Sequence, residues 1–246
     1  MHERGGGLKQ FYGGFEAHLA GRLSYLVIRN SIYKIIYDSV KPTKPFNDLT
    51  NREKMVIAGF SGGVAAWFTS PLALINIRQI LDSQTRPEWR RNYSGVSGGL
   101  AALGDNKYKG GWVNVLRHVV LNVSLTAPFD YFHEALYLRF GDYGFVWPLA
   151  VALSNFVSAV VTLPFDNIRT RVMNAHSDPS RNRMNYKGIF DIVVKSYRYE
   201  KSHFAMWAGF YTYYFSSLAY AFMTVGITSG ITDSIKRAKG INEWLI

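Results

Sequence analysis

The 246-residue sequence contains no cysteine, so neither a disulfide framework nor a thiolate metal site can be built from it. It has no His-Glu-x-x-His, no phosphate-cradling P-loop and no nucleophile elbow, and its six histidines are scattered. Nothing in it points to catalysis, and no metal or other catalytic cofactor is expected. Acidic residues are scarce, 17 against 28 Lys and Arg, for a formal net charge of +11 and a pI near 9.7. An excess of that size suits nucleic acid or anionic lipid. The basic residues are spread over connections between apolar stretches and form no recognition helix, so lipid is the expected partner and nucleic acid is not. The N-terminus, MHERGGGLKQ, lacks an apolar core, and no signal peptide is expected.

What is present centres on Leu163 to Arg171, LPFDNIRTR. An uncharged run, Tyr143 to Phe165, closes with Pro164 and Phe165 and is followed by Asp166, Arg169 and Arg171. Proline is tolerated in a membrane helix as a kink, because neighbours satisfy the freed carbonyl. Asp166 and Arg169, three apart, share a helix face. Ionisable groups at that depth are costly unless they pair or line a wet cavity. Ser70 to Arg78, SPLALINIR, repeats the layout, and Pro71 precedes Pro164 by the same 93 positions that separate Asn92 (NYSGV) from Asn185 (NYKGI). Two markers with one offset indicate an internal repeat of about a hundred residues. Tyr108-Lys109-Gly110 is echoed by Trp207-Ala208-Gly209 and, near the start, by Tyr12-Gly13-Gly14.

Five candidate spans follow in order. Gly14 to Val40 carries Arg22 and Arg29 two turns apart on one face, which suits a cavity wall. Val56 to Ile77 is uncharged and contains Gly59, Gly62, Gly63 and Ala66, spaced for close helix packing. Trp112 to Leu138 contains Arg117 and suits a cavity-lining helix, Tyr143 to Met173 is the proline-bearing span, and Ala205 to Thr232 is the clearest lipid-length run. Short surface helices are expected near Tyr93 and Tyr186. Most basic residues outside the spans fall on the side of the N-terminus and the two long loops, which the positive-inside rule makes the inner face. The mean hydropathy of -0.04 is polar for a bundle of spans, as expected if several helices line water.

PFDNIRTR fits the P-x-[DE]-x-x-[KR]-x-[KR] signature of the mitochondrial carrier family at every fixed position, and the aromatic-x-Gly copies resemble that family's second signature. The likeness covers nearly the whole chain. GFEAHLAGRLSYLVIRNSIY from Gly14, RPEWRRNYSGV from Arg86 and FYTYY from Phe210 resemble most the 2-oxoglutarate/malate and dicarboxylate branch. The resemblance implies an all-α membrane protein, a helical bundle of tandem carrier repeats with about five transmembrane helices and short matrix-side surface helices. Its units would be a truncated first repeat (1–50), a second (51–141) and a third (142–246), in the mitochondrial inner membrane with the N-terminus in the matrix.

The same resemblance assigns residues. Arg22, Tyr25, Arg29, Arg117, Asn122 and Ser216 fall at substrate-cavity positions, Ser216 replacing an arginine. Pro71, Arg78, Pro164, Asp166, Arg169 and Arg171 are the remnant of a matrix-side gate, in which the second copy has Ala73 for the acid and Asn76 for the base. The opposite gate is eroded too, with His133 where a base follows Phe129-Asp130. Gly14, Gly95, Gly110, Gly188 and Gly209, at helix starts, are expected to bind cardiolipin phosphates. Diacid recognition calls for two or three guanidinium groups, of which Arg29 and Arg117 remain. With both gates eroded, the expected role is a non-transporting structural subunit of a larger inner-membrane assembly such as a respiratory-chain complex. The alternative is an antiporter of dicarboxylates such as 2-oxoglutarate and malate.

Overall fold

The computed structural model describes residues 14–40, 49–84, 91, 93, 95–141, 146–175, 191–192, 194–195 and 198. Among these residues the ordered elements are helical: α1 (Phe15–Val40), α2 (Asn51–Gln84), α3 (Gly95–Leu103), a 3₁₀ turn (Gly104–Tyr108), α4 (Gly111–Phe140) and α5 (Val146–Asn174). Each of the first four expected spans lies within, or nearly coincides with, a long helix, and α3 is the short helix expected near Tyr93. The fifth span, 205–232, lies outside the described residues. Of the short helix expected near Tyr186, Asp191, Ile192, Val194, Lys195 and Arg198 are helical, and the rest lies outside the described residues.

Local chemistry explains the helix boundaries and how the prolines are carried. Thr50 precedes α2, and both its backbone N–H (2.9 Å) and its hydroxyl (2.6 Å) donate to Glu53. This is half of a capping box, with the carboxylate three residues on satisfying the N-cap amide. Pro71, Pro128 and Pro164 sit inside α2, α4 and α5, each removing one backbone donor. Around Pro164, Thr162 donates to the Ser158 carbonyl at 2.7 Å and Asn167 to that of Leu163 at 3.2 Å, and α5 runs unbroken through the proline.

Contacts order the long helices α1, α2, α4, α5, each antiparallel to the next. The start of α1 meets the end of α2, where a Cβ on Gly14 would stand 3.2 Å from Gln79, whereas Gly62, further back in α2, faces Tyr25. The start of α4 meets the end of α5 at Gly110 and Met173, and its far part meets the beginning of α5 at Phe129 and Trp147. One end of the bundle thus collects the starts of α1 and α4, the ends of α2 and α5, and α3.

The small residues in α2 do what their spacing suggested. A Cβ on Gly59 would approach Val123 at 3.0 Å and one on Gly63 would approach Val119 at 3.0 Å, while Gly62 leaves room for the Asn122 side chain. At these turns α2 presents only backbone to the α4 side chains, so the helices pack closely without a driving force from water. On the outer side this seam forms an apolar groove of about 610 Å³, lined by Met55, Val56, Phe60, Trp67, Trp112 and Val123 among others. By length and composition, α2 and α5 are apolar enough to cross a membrane. The more polar α1 and α4 carry the side chains that meet inside.

Candidate functional site

Midway along the bundle, Tyr25 of α1 and Arg117, His118 and Asn122 of α4 converge. Asn122 is buried because α2 has no side chain at Gly62 to fill its place. Its amide donates to the Tyr25 hydroxyl at 2.8 Å and to the His118 carbonyl at 2.6 Å. The Tyr25 ring lies 4.6 Å from the His118 ring. His118 Nδ1 is 2.8 Å from the Asn114 carbonyl. A carbonyl only accepts, so Nδ1 carries the proton, and Nε2 is left to accept from Arg117 Nη1 at 3.3 Å.

Arg117 reaches α5. Its Nε donates to Asp166 Oδ1 at 2.6 Å and its Nη2 to Oδ2 at 3.2 Å, the bidentate fork that gives guanidinium–carboxylate pairs their strength and orientation. All three guanidinium nitrogens are thereby engaged. Arg169, three residues on from Asp166, holds Nη1 at 3.9 Å from Oδ1, and its buried Nε has no hydrogen-bond partner among the described residues. Asp166 therefore serves two arginines, with the stronger geometry toward Arg117. Arg169, which shares its helix face, is the weaker partner.

The remaining sequence-derived residues are placed as follows. Arg29 is half-buried in α1, and its Nε is buried without a partner among the described residues. Arg22 is exposed on α1. Pro71 and Ala73 lie in α2, and the degenerate Asn76 is 3.3 Å from His18 Nδ1 on α1. Arg78, grouped by its spacing with the gate, pairs with no carboxylate among the described residues. It is buried and donates to the Met173 carbonyl at 3.2 Å and the Tyr93 hydroxyl at 3.0 Å. Arg171 lies in the last turn of α5. Gly14, Gly95 and Gly110 stand at the starts of α1, α3 and α4 with φ of +81°, +68° and +75°, where a side chain would be strained. Ser216, Gly188 and Gly209 lie outside the described residues. Sequence reasoning missed His118, whose signal was its place beside Arg117 and four residues before Asn122.

At the opposite end, Phe129 stacks with His133 at 5.6 Å and His133 with Tyr137 at 6.4 Å, while Tyr33 stacks with Tyr37 at 6.1 Å. Asp130 Oδ2 is buried without a hydrogen bond among the described residues. Stacked rings occupy this eroded gate position, with His133 standing where the resemblance puts a base.

Residues 148–239 match the family model described as Mitochondrial carrier protein. The chain is 30% identical over 205 residues to the "Macronuclear solute carrier homolog CR-MSC" of Oxytricha trifallax, covering 81% of this chain and 54% of that protein. It is 28% identical over 224 residues to the "Probable mitochondrial 2-oxoglutarate/malate carrier protein" of Dictyostelium discoideum, covering 85% and 66%. To the "Mitochondrial dicarboxylate/tricarboxylate transporter DTC" of Arabidopsis thaliana it is 26% identical over 240 residues, covering 94% and 79%. The aligned part thus spans 54% of the Oxytricha relative's length.

Proposed function

Because the chain belongs to the mitochondrial carrier family, we propose that it is a multi-pass inner-membrane carrier exchanging small dicarboxylates of the 2-oxoglutarate/malate kind. The observation that carries this reading is the Arg117–Asp166 fork, set beside Tyr25, His118 and Asn122. A substrate carboxylate has the same shape and charge as Asp166, so it can replace that side chain on Arg117 without leaving the guanidinium unpaired in a poorly solvated interior. The displaced Asp166 has Arg169 within 3.9 Å. Binding and release would thus be an exchange of carboxylates, with His118 keeping Arg117 oriented throughout.

Arg29 supplies the second cation. It lies one turn beyond Tyr25, a rise of about 6 Å along α1, and its buried Nε is unused by the described residues. The spacing suits the second carboxylate of a short diacid. Relatives named as dicarboxylate or 2-oxoglutarate/malate carriers support the same substrate class. The orientation follows from charge, with the α3 end and the N-terminus toward the matrix.

Lipid forms part of the proposal. The starts of α1 and α3 adjoin, since the Glu16 carboxylate lies 3.6 Å from where a Cβ on Gly95 would stand. The first N–H groups of a helix lack acceptors within it, so two neighbouring helix starts suit a cardiolipin phosphate. Glu16 brings a negative charge to that spot, so its neutralisation should tighten the lipid. None of the relatives named above is described as a structural subunit of a respiratory assembly. The comparisons support transport.

The test is counter-exchange of labelled malate or 2-oxoglutarate in proteoliposomes. Saturable exchange is expected, and Arg117→Ala should abolish it while leaving the helical circular dichroism in place. Folded protein that exchanges neither substrate would overturn the reading.

A further inference from the structure

At the α3 end of the bundle, the last carbonyls of α5 and that of Ala175 just past it are covered by three cations drawn from residues 78–109. Arg78 Nε donates to the Met173 carbonyl at 3.2 Å, Arg91 Nη2 to that of Asn174 at 2.7 Å, and Lys109 Nζ to that of Ala175 at 2.9 Å. Arg91 Nη1 also donates to Asn174 Oδ1 at 3.1 Å. The final carbonyls of a helix lack partners within it and carry the negative end of its dipole. Cations placed there make charge-assisted bonds stronger than neutral ones.

The cluster is held under charge strain. Asp82 is the acid bound within it, accepting from Arg91 Nη1 at 3.2 Å and from the Arg91 backbone N–H at 2.9 Å. Burial, then the charges of Arg78 and Arg91, push the Lys109 ammonium below its ordinary pKa, and burial, then Arg78, lowers that of Arg91. Three crowded cations stay together because the end of α5 gives each an acceptor. All four bonds to α5 join distant parts of the chain, so all four break if that end swings away from α2 and α4.

We propose that Arg78, Arg91 and Lys109 form a latch that closes the α3 end of the bundle and must release α5 before that end can open. The latch rests on the transport reading and supplies what the Pro71 segment lacks. With Ala73 and Asn76 in place of charged residues, closure at this end draws on bonds made beyond the proline turns, at the tip of α5.

The absence of cysteine makes introduced thiols unambiguous. In Lys109→Cys/Ala175→Cys, bridging the two thiols with a short bis-methanethiosulfonate reagent holds the α4 start on the tip of α5 and should slow dicarboxylate exchange about tenfold or more. Dithiothreitol should restore it. Bridged protein that exchanges at the unbridged rate overturns the latch and leaves the carrier reading standing. If the reduced, unbridged protein exchanges nothing while the wild-type protein does, or if neither does, labelling decides the latch by itself. Ala73→Cys should react with a membrane-impermeant maleimide from the α3 side about tenfold faster when combined with Arg91→Met/Lys109→Met. Combination with Lys109→Arg should leave labelling slow. Equal rates in all three overturn the latch whether or not the protein transports.

Discussion

Around Pro164, α5 is tied to α4 by charge, Asp166 gripping Arg117 with both oxygens. Around Pro71, α2 is tied to the same helix by neutral groups, the Asn114 amide donating to the Ala66 carbonyl and to the Ser70 hydroxyl, each at 3.0 Å. Asn114 is fully buried, and Ser70 in turn donates to Ala66 at 2.7 Å. Two copies of one proline segment have thus reached two solutions to docking on α4. The neutral one satisfies backbone and hydroxyl groups and has no charge to exchange with a solute. The ionic one holds the helices together through a carboxylate that, on the proposed reading, a bound anion would replace.

Breaking the ionic side should have the largest effect. Asp166→Ala strands Arg117 and Arg169 together without that acid, and each of the two charge-assisted bonds it removes is worth about 1.5 to 3 kcal/mol. We expect a markedly lower thermal midpoint in detergent and no exchange, with Asp166→Asn recovering part of the stability and none of the activity. An undisturbed midpoint in Asp166→Ala would mean that the fork contributes little to docking.

Breaking the neutral side should cost less. Asn114→Ala removes two buried hydrogen bonds and leaves the Ser70 hydroxyl with one partner fewer, a loss of about 1 to 3 kcal/mol. Exchange per folded molecule should be little changed, which separates this residue from Asp166. A loss of exchange matching that of Asp166→Ala at full stability would erase the distinction between the copies.

The smallest effect belongs to the far end of α2, which serves as a reference. Thr50→Ala removes the hydroxyl half of the cap on Glu53 and should lower stability by about 1 kcal/mol, with exchange intact. A fourth variant sharpens the lipid side of the comparison. Glu16→Gln removes the carboxylate beside Gly95, and cardiolipin should then raise the thermal midpoint more than it does for the wild-type protein. An equal rise would place no phosphate at that helix start.

Periodicity and repetition made the long helices legible, because apolar spans, buried prolines and small-residue spacing are local properties of the chain. The family resemblance, and not periodicity, put Tyr25, Arg117 and Asn122 at cavity positions; of these the structure joins Asn122 to Tyr25 directly, while Arg117 reaches the group through His118. The partner of Asp166 was not legible. Arg169 is three residues away and Arg117 is 49 away, and the choice between them depends on the antiparallel register of α4 against α5. His118 escaped notice because a histidine in a short apolar run has no local pattern. Arg78, Arg91 and Lys109 looked like loop and gate charges awaiting lipid or acid, yet all three turn inward to backbone carbonyls, an acceptor that sequence never displays.

One further consequence lies in the aromatic cluster next to Lys109. Tyr108 stacks on Trp67 at 5.0 Å, and Trp112 leans on the other side of Trp67 at 5.1 Å. Lys109, which bonds the tip of α5, sits in the chain between Tyr108 and Gly110, so the backbone cannot let go of one contact without straining the other. The two indoles can gauge that backbone step once the other four of the chain's six tryptophans are replaced by phenylalanine. Both line the outer groove, and Trp67 also responds to how closely the Tyr108 ring lies against it. A change in their emission during turnover would time the movement of the α4 start.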